Sequence, residues 1–224
     1  MKAYPILSGF IVVLIPLAGC DAERGEKSTR ESERAAPEET GVAQEALNGF
    51  HINTINGRGT GCPTPLTSTI TPDGQTFTVY FSEMMLQHPS GPTFQKINCA
   101  VGLNLHLPTG LQFSVTTINT RGYAHLPAGT FGQQRSTYSF AGGPADIRAH
   151  NKLVGVYDDD YVFTDGYYGV ASALTSPCGG DAILNIDTAL ILDTAGNPTA
   201  DAYLDNTTVD GTFRMVFQLG WDRC

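Results

Sequence analysis

The stretch that most constrains the fold is residues 99–126, CAVGLNLHLPTGLQFSVTTINTRGYAHL. Apolar and polar residues alternate in it with a period of two, which is typical of strands with one buried side and one solvated side. The sequence Pro108-Thr109-Gly110 favours a turn, because proline presets its own φ and glycine tolerates positive φ. Asn119-Thr120 offers a second turn. We therefore predict three adjacent antiparallel strands joined by two tight turns.

The predicted pairing sorts the side chains of this stretch onto two faces. If Leu107 opposes Leu111 and Ile118 opposes Arg121, an apolar face forms from Leu103, Val115 and Ala124. The opposite face is polar and holds Asn104, His106, Gln112, Ser114, Tyr123 and His125. A slip of one residue would mix the two sets, so the pattern specifies the register.

The polar face has two interpretations. It is either an ordinary solvated sheet surface or a shallow ligand-binding face. In the second case the predicted contacts are Tyr123, His125, His106, Gln112, Asn104 and Arg121. For Arg121 we favour a role as a fold element that stacks on or bonds to a turn carbonyl, with ligand contact as the alternative.

The amino terminus has the features of an export signal. Lys2 precedes an apolar run at residues 6–15, which is too short to span a membrane. Leu17-Ala18-Gly19-Cys20 then resembles the lipobox of bacterial lipoproteins. That resemblance implies a signal peptide at residues 1–19, cleavage before Cys20 and lipidation of the Cys20 thiol. We expect an exported protein of the bacterial cell envelope, held to the lipid bilayer through Cys20.

We interpret residues 20–47 as the lipidated Cys20 followed by a tether. The segment has no aromatic residue and few large aliphatic ones, and it is dense in mixed charge. Such a composition cannot bury enough apolar surface to fold. As a flexible coil it would hold the following domain roughly 30 Å from the lipid.

Residues 48–224 are long enough for one core and are interpreted as a single domain. They contain eight Lys and Arg residues against fourteen Asp and Glu, a net charge of −6. This acidic balance argues against nucleic acid and anionic lipid surfaces as partners. There is no basic stripe and no glycine-rich phosphate loop, and we predict no cofactor.

Short strand patterns separated by Gly, Pro and Asp recur throughout this domain. Examples are the run at 66–70, which ends before the turn Pro72-Asp73-Gly74, and the runs at 136–140, 184–192 and 213–221. About nine or ten strands are expected, and they favour an all-β fold, an antiparallel β-sandwich.

Four cysteines remain in the domain: Cys62, Cys99, Cys178 and Cys224. An even number in an exported chain implies two disulfides. Three pairings are possible, and we favour Cys62–Cys99 with Cys178–Cys224 because each pair brackets contiguous strands. A zinc site is the alternative, but it lacks any C-x-x-C spacing.

A series of short motifs resembles a known family. In order these are Gly61-Cys62-Pro63, Pro72-Asp73-Gly74, Asn98-Cys99, Pro108-x-Gly110-x-x-Phe113, Arg121-Gly122-Tyr123, Ser176-Pro177-Cys178-Gly179, Leu184-Asn185-Ile186 and Trp221-x-x-Cys224. Together they resemble a domain-of-unknown-function family of small secreted four-cysteine proteins of bacteria and fungi. The resemblance implies secretion, a β-rich fold and structural cysteines, but no activity. The charged tether and lipobox depart from the plainer layout of that family.

Two acidic features of the domain could carry chemistry. The run Asp158-Asp159-Asp160 is interpreted as a hairpin turn, with calcium binding by Asp158 and Asp160 as the alternative. Glu83, the only Glu in the domain, would serve a two-carboxylate hydrolase if an Asp lay beside it. The five histidines show no metal-ligand spacing.

The sequence therefore supports a lipid-anchored β-sandwich that acts as a binding or surface-structural module rather than an enzyme. Its expected partner is an envelope glycan or a protein. The alternative is a hydrolase of extracellular polysaccharide that uses Glu83 and an Asp.

Overall fold

A computed structural model describes residues 47–224 except 64, 82, 144–145, 167–173 and 206–212. These residues form twelve strands. They are β1 (His51–Arg58), β2 (Thr67–Ile70), β3 (Thr76–Phe81), β4 (Met85–His88), β5 (Phe94–Leu107), β6 (Leu111–Leu126), β7 (Phe131–Phe140), β8 (Ile147–Val154), β9 (Tyr157–Gly166), β10 (Gly180–Asp193), β11 (Ala202–Asp205) and β12 (Phe213–Arg223). In this described part, no helix is long and apolar enough to cross a membrane.

The strands form two antiparallel sheets. One sheet has the order β1-β5-β10-β7-β8, and the other has the order β2-β3-β12-β6-β11-β4 with β9 paired to β6. Residues Thr117–Arg121 of β6 pair with both β12 and β9, and Ala124 and His125 pair with both β11 and β9. Since a strand has only two edges, β12 and β11 follow one another along one edge of β6, and β9 covers the other. The prediction of an antiparallel β-sandwich is confirmed, with twelve strands rather than nine or ten.

The predicted hairpin between Leu107 and Leu111 is wrong. The turn at residues 108–110 exists, with Gly110 at a φ of 76°, but β5 and β6 belong to different sheets. The turn therefore carries the chain across the edge of the sandwich. Leu107 and Leu111 are both buried, one from each sheet. The alternation of apolar residues therefore predicted correctly which side chains are buried, but it did not predict which strands pair.

The predicted turn at Asn119-Thr120 is also wrong, because β6 runs unbroken through it. The pairing of β6 with β12 shifts by one residue between Gln218 and Leu219. This β-bulge leaves Thr116 as an extra residue in β6. A bulge reverses which side chains point inward without ending the strand. Odd-numbered residues point inward before it, and even-numbered residues point inward from Ile118 onward.

The core lies between the two sheets and is aromatic at its centre. Phe113 of β6 contacts Phe140 of β7 with ring centroids 5.6 Å apart, edge to face. Tyr138 of β7 contacts Phe217 of β12 in the same manner at 5.9 Å. Both contacts join one sheet to the other, and edge-to-face pairs are the favoured arrangement of aromatic rings.

Both disulfides of the favoured pairing are present, Cys62–Cys99 and Cys178–Cys224. Trp221 lies on β12 close to the second of them in sequence and is buried. Its indole Nε1 donates a hydrogen bond to the Gly74 carbonyl at 3.0 Å, which satisfies the one polar atom of the ring. Trp221 is therefore a core residue.

The interpretation of Asp158-Asp159-Asp160 as a turn is wrong. All three residues lie in β9, and the chain reverses earlier, at Gly155 and Val156. A Cβ on Gly155 would lie 2.1 Å from the Pro127 carbonyl oxygen, so this reversal requires glycine. Asp210-Gly211, which favours a hairpin turn before the run at 213–221, lies outside the described residues, as do Cys20 and residues 1–19.

Candidate functional site

The predicted polar face does not exist as one surface. Asn104 and His106 lie on β5, whereas Gln112, Tyr123 and His125 lie on β6 of the other sheet. The two groups therefore point outward from opposite sides of the sandwich. Each of these side chains is correctly predicted to face outward, but the single ligand face that would combine them is wrong.

On the five-stranded sheet, His106 belongs to a small polar cluster with β1 and β10. Its Nδ1 lies 2.8 Å from Asp181 Oδ1, and its ring stacks on His51 at 4.9 Å. Asn53 donates to both Asn104 Oδ1 and Asp181 Oδ1 at 3.2 Å. The hydrogen bond from His106 lowers the pKa of Asp181. These groups satisfy one another, so the cluster is explained as a cross-strand network.

On the seven-stranded sheet, Tyr123 and His125 of β6 meet the acidic residues of β9. Tyr123 pairs with Asp160 and His125 pairs with Asp158. The Tyr123 hydroxyl donates to Asp158 Oδ1 at 2.5 Å, and His125 Nδ1 lies 3.1 Å from the same oxygen. One carboxylate therefore orients both side chains on the outer face.

The other edge of β6 supplies a second tyrosine and a second carboxylate. Tyr203 of β11 pairs with His125, and its ring centroid is 6.2 Å from that of Tyr123 at a tilt of 49°. Asp205 Oδ1 accepts the Tyr123 backbone N–H at 3.0 Å, and Asp205 Oδ2 accepts the Tyr203 hydroxyl at 2.7 Å. We call these six residues the tyrosine face: Tyr123, His125, Asp158, Asp160, Tyr203 and Asp205.

The layer beneath the tyrosine face is closely packed. Gly122 points inward, and a Cβ there would lie 2.2 Å from the Asp205 carbonyl oxygen and 2.6 Å from the Tyr161 hydroxyl. The buried Tyr161 hydroxyl donates to the same carbonyl at 2.6 Å. Gly122 therefore permits the close approach of β11 that brings Tyr203 beside Tyr123.

The hydrogen bonds of the tyrosine face determine its protonation. The hydrogen bonds from Tyr123 and then His125 lower the pKa of Asp158, while the bond to Asp158 raises the pKa of Tyr123. Asp158 is thus ionised and Tyr123 is protonated at neutral pH. Because these hydrogen bonds stabilise the ionised carboxylate, their contribution is present above the ordinary carboxyl pKa of 3.8 and is lost as the pH falls below it.

Of the remaining predicted residues, Arg121 adjoins the tyrosine face, whereas Gln112 lies far from it. Arg121 is exposed beside Tyr123 on β6, between Arg214 of β12 and Val162 of β9. Gln112 lies on the same strand but eleven residues away, roughly 35 Å along it. Glu83 is exposed in the connection between β3 and β4, whereas Asp158 lies on β9.

The calcium alternative finds no ligand set. Among the described residues, no three His, Cys, Asp or Glu side chains converge as a metal site. Asp158 and Asp160 do point to the same side of β9, but Asp158 is already bonded to Tyr123 and His125.

Sequence reasoning missed Tyr203 and Asp205. Their spacing of two in Ala202–Asp205 was a weak sign of a short strand with both side chains on one face. That strand is only four residues long, and only the fold places it against β6.

The fold and this surface define the class: a disulfide-bonded β-sandwich domain with an aromatic and acidic patch on one outer face. The chain belongs to the family described as domain of unknown function DUF4360, whose model matches residues 48–224. A similar protein is the "Uncharacterized secreted protein" of Arthroderma benhamiae (strain ATCC MYA-4681 / CBS 112371). It is 32% identical over 206 residues, which cover 89% of this chain and 83% of that protein. This secreted relative supports export of the chain.

Two solved structures are similar only in part. One is TmCBM61 in complex with beta-1,4-galactotriose, with a TM-score of 0.28 and 8% identity over 77% of this chain and 90% of that chain. The other is the enzymatically active domain of bacteriophage CBA120 tailspike protein 4, with a TM-score of 0.20 and 10% identity over 81% of this chain and 20% of that chain. At these scores neither similarity bears on function.

Proposed function

We propose that the protein is an exported glycan-binding module, that it acts by binding rather than by catalysis, and that the tyrosine face is its binding surface. The observation that carries this proposal is the pair of half-buried tyrosines, Tyr123 and Tyr203, each held by a carboxylate on the outside of a rigid sheet. Side chains held in this way lose little conformational entropy when a ligand binds.

The chemistry of the surface suits a sugar. The C–H face of a pyranose packs on an aromatic ring, and the carboxylates of Asp158 and Asp160 accept hydrogen bonds from sugar hydroxyl groups. Two rings tilted by 49° can contact successive units of a twisted oligosaccharide. The exposed carboxylates of this surface, Asp158 and Asp160, outnumber the adjacent cation Arg121, so its ligand is a neutral glycan or an amino sugar.

The sequence supports attachment of this module to a membrane. In this proposal Cys20 carries the lipid, residues 20–47 form the tether, and the domain reaches envelope glycans from the bilayer surface. The motif at residues 17–20 supports this part of the proposal independently of the tyrosine face.

Replacing Tyr123 with alanine is expected to weaken glycan binding by about tenfold or more, because it removes a ring and releases Asp158 and His125. The oxidised protein is titrated with neutral oligosaccharides and peptidoglycan fragments, first by thermal shift and then by calorimetry. A ligand at 100 times its Kd should stabilise the wild-type protein by about 2.7 kcal/mol.

The matched control is Tyr80→Ala. Tyr80 is a half-buried tyrosine on the same sheet, on β3, and its hydroxyl lies 3.4 Å from Thr69 Oγ1. It should leave binding unchanged. Equal losses in the two variants, or no stabilisation of the wild-type protein by any glycan, would contradict the proposal.

Replacing Cys20 with serine is expected to release the protein from membranes, because the thiol that carries the lipid is gone. Bacteria that express the chain are fed a radiolabelled fatty acid and then fractionated. Wild-type protein should carry the label and sediment with membranes, whereas Cys20→Ser should do neither. Membrane association of both proteins without label would contradict lipid anchoring and leave the glycan-binding proposal intact.

A further inference from the structure

The outer face of the β7–β8 pair gathers positive charge in an acidic domain. Arg135 of β7 and Arg148 and Lys152 of β8 point outward from it. These are three of the eight Lys and Arg residues that follow residue 47. Neither strand contains an acidic residue, and the nearest outward carboxylate in the sheet register is Asp187 of β10, opposite Thr137.

Arg135 and Arg148 line an open pocket of about 440 Å³. Its lining residues, which we call the basic pocket, are Arg135, Ser136, Thr137, Arg148, Ala149 and His150. Arg135 is the direct partner of His150, and Thr137 is the partner of Arg148. The two arginines are therefore diagonal neighbours, about 7–8 Å apart at their backbones. Both guanidinium groups can reach one ligand.

Contacts within the sheet orient these cations without an ion pair shorter than 4 Å among the described residues. Arg135 Nε donates to Gln133 Oε1 at 3.1 Å, and Lys152 Nζ lies 3.9 Å from the centroid of the Phe131 ring. Across the residues that the structure describes, the ion pairs within 4 Å are His106–Asp181 and His125–Asp158, and neither involves Arg135 or Arg148.

Protection of a sheet edge does not explain the whole cluster. β8 is an edge strand of its sheet, and charged side chains on such a strand discourage pairing with other chains. Arg135, however, lies on β7, which is paired on both sides. The opposite edge strand, β1, carries a single cation, Arg58, at its last residue.

We propose that the basic pocket binds the carboxylate groups of an acidic polysaccharide that runs along β8. Arginine presents a planar pair of donors that matches a carboxylate, and two arginines side by side hold it in a defined orientation. Outward cations continue from Arg148 to Lys152, about 13 Å along the strand, which suits an extended polymer.

The neighbouring groups favour a polysaccharide over an acidic protein. The hydroxyl of Thr137 lines the pocket beside the arginines and matches a sugar hydroxyl group. Protein interfaces are centred on large apolar or aromatic anchors, and the only apolar residue that lines this pocket is Ala149. The site lies on the opposite sheet from the tyrosine face, so the two proposals are independent.

The test uses polygalacturonate, with its fully methyl-esterified form as an uncharged control of the same backbone. Binding to the oxidised protein is measured by calorimetry at low and at physiological salt. The double variant Arg135→Gln with Arg148→Gln should bind polygalacturonate at least about tenfold more weakly than wild type, since it removes two charge-assisted contacts. The ester should not bind, and salt should weaken binding of the acid.

The matched control is the double variant Arg58→Gln with Lys96→Gln, which removes the same charge from exposed positions on the same sheet. It should change the affinity by less than about twofold, and Tyr123→Ala should also retain polygalacturonate binding. Near-UV circular dichroism confirms that each variant is folded. Equal losses in the two double variants, binding of the ester, or no binding by wild type would overturn the proposal. Binding of polyglutamate in place of polygalacturonate would also overturn it and indicate an acidic peptide.

Discussion

Replacing Phe113 with alanine should lower the free energy of unfolding by about 3–5 kcal/mol. The ring is fully buried and contacts Phe50, Phe140 and Trp221, with centroids 5.7, 5.6 and 5.3 Å away. Phe140 belongs to the facing sheet, so the truncation opens a cavity where the two sheets meet. The loss is expected to be large because β-sheet backbones on both sides cannot collapse into the gap. Chemical denaturation of the oxidised protein, followed by Trp221 fluorescence, measures it.

Phe94→Ala is the matched control for this core truncation. Phe94 begins β5 with a relative exposure of 55%, and its replacement should cost less than about 0.5 kcal/mol. A similar loss in both variants would show that the contacts of the Phe113 ring do not hold the two sheets together.

Removal of the Cys178–Cys224 disulfide, by serine at both positions, should lower the free energy of unfolding by about 4 kcal/mol. The bridge closes a loop with a sequence separation of 46 residues and fastens the end of β12 beside the start of β10. Backbone hydrogen bonds support the same corner: Cys224 N–H donates to the Gly110 carbonyl at 3.0 Å, and Gly179 N–H donates to the Leu111 carbonyl at 2.8 Å. Cleavage of the bridge mainly releases the unfolded chain from a constraint.

Comparison with the other bridge tests that mechanism. Cys62–Cys99 has a sequence separation of 37, so its removal should cost a nearly equal amount if chain entropy dominates. Denaturation of both double-serine variants, each measured with and without reductant, gives the two values. A loss confined to one bridge would mean that local contacts, not loop closure, account for the stabilisation. If only the Trp221 fluorescence changes and the protein does not unfold globally, the effect of the lost bridge is confined to the carboxyl end of the chain.

The tyrosine face and the basic pocket lie on the two outer surfaces of the sandwich and carry opposite net charges. Asp158, Asp160 and Asp205 surround the tyrosines on one sheet, whereas Arg135 and Arg148 lie on the other. A protein with both sites could hold a neutral and an acidic glycan at the same time. The two binding experiments are separable, because Tyr123→Ala and the double arginine variant each leave the other surface unchanged.

Much of the fold was predictable because it depends on local patterns. Alternation with a period of two in residues 99–126 predicted strands, and Leu103, Val115 and Ala124 are buried as expected. The even number of cysteines predicted two disulfides, and the contiguous strands that each pair brackets predicted the pairing. The positions of strand partners were not predictable in the same way, since the turn at 108–110 has the same residues whether it closes a hairpin or crosses between sheets. The bulge at Thr116 was interpreted as a turn because a bulge and a turn both change which residues of an alternating pattern point inward.

The sequence by itself determined which side chains face outward, since burial follows from the period of the strand and the cost of hiding polar groups. It determined that Tyr123 and His125 share a face and that the cysteines are structural. Only the tertiary structure decided that Asp158 and Asp205 hold Tyr123, that Tyr203 lies beside it, and that Arg135 joins Arg148. These groups are distant in sequence, and their meeting depends on strand order, which arises from the packing of the whole core and not from any one segment.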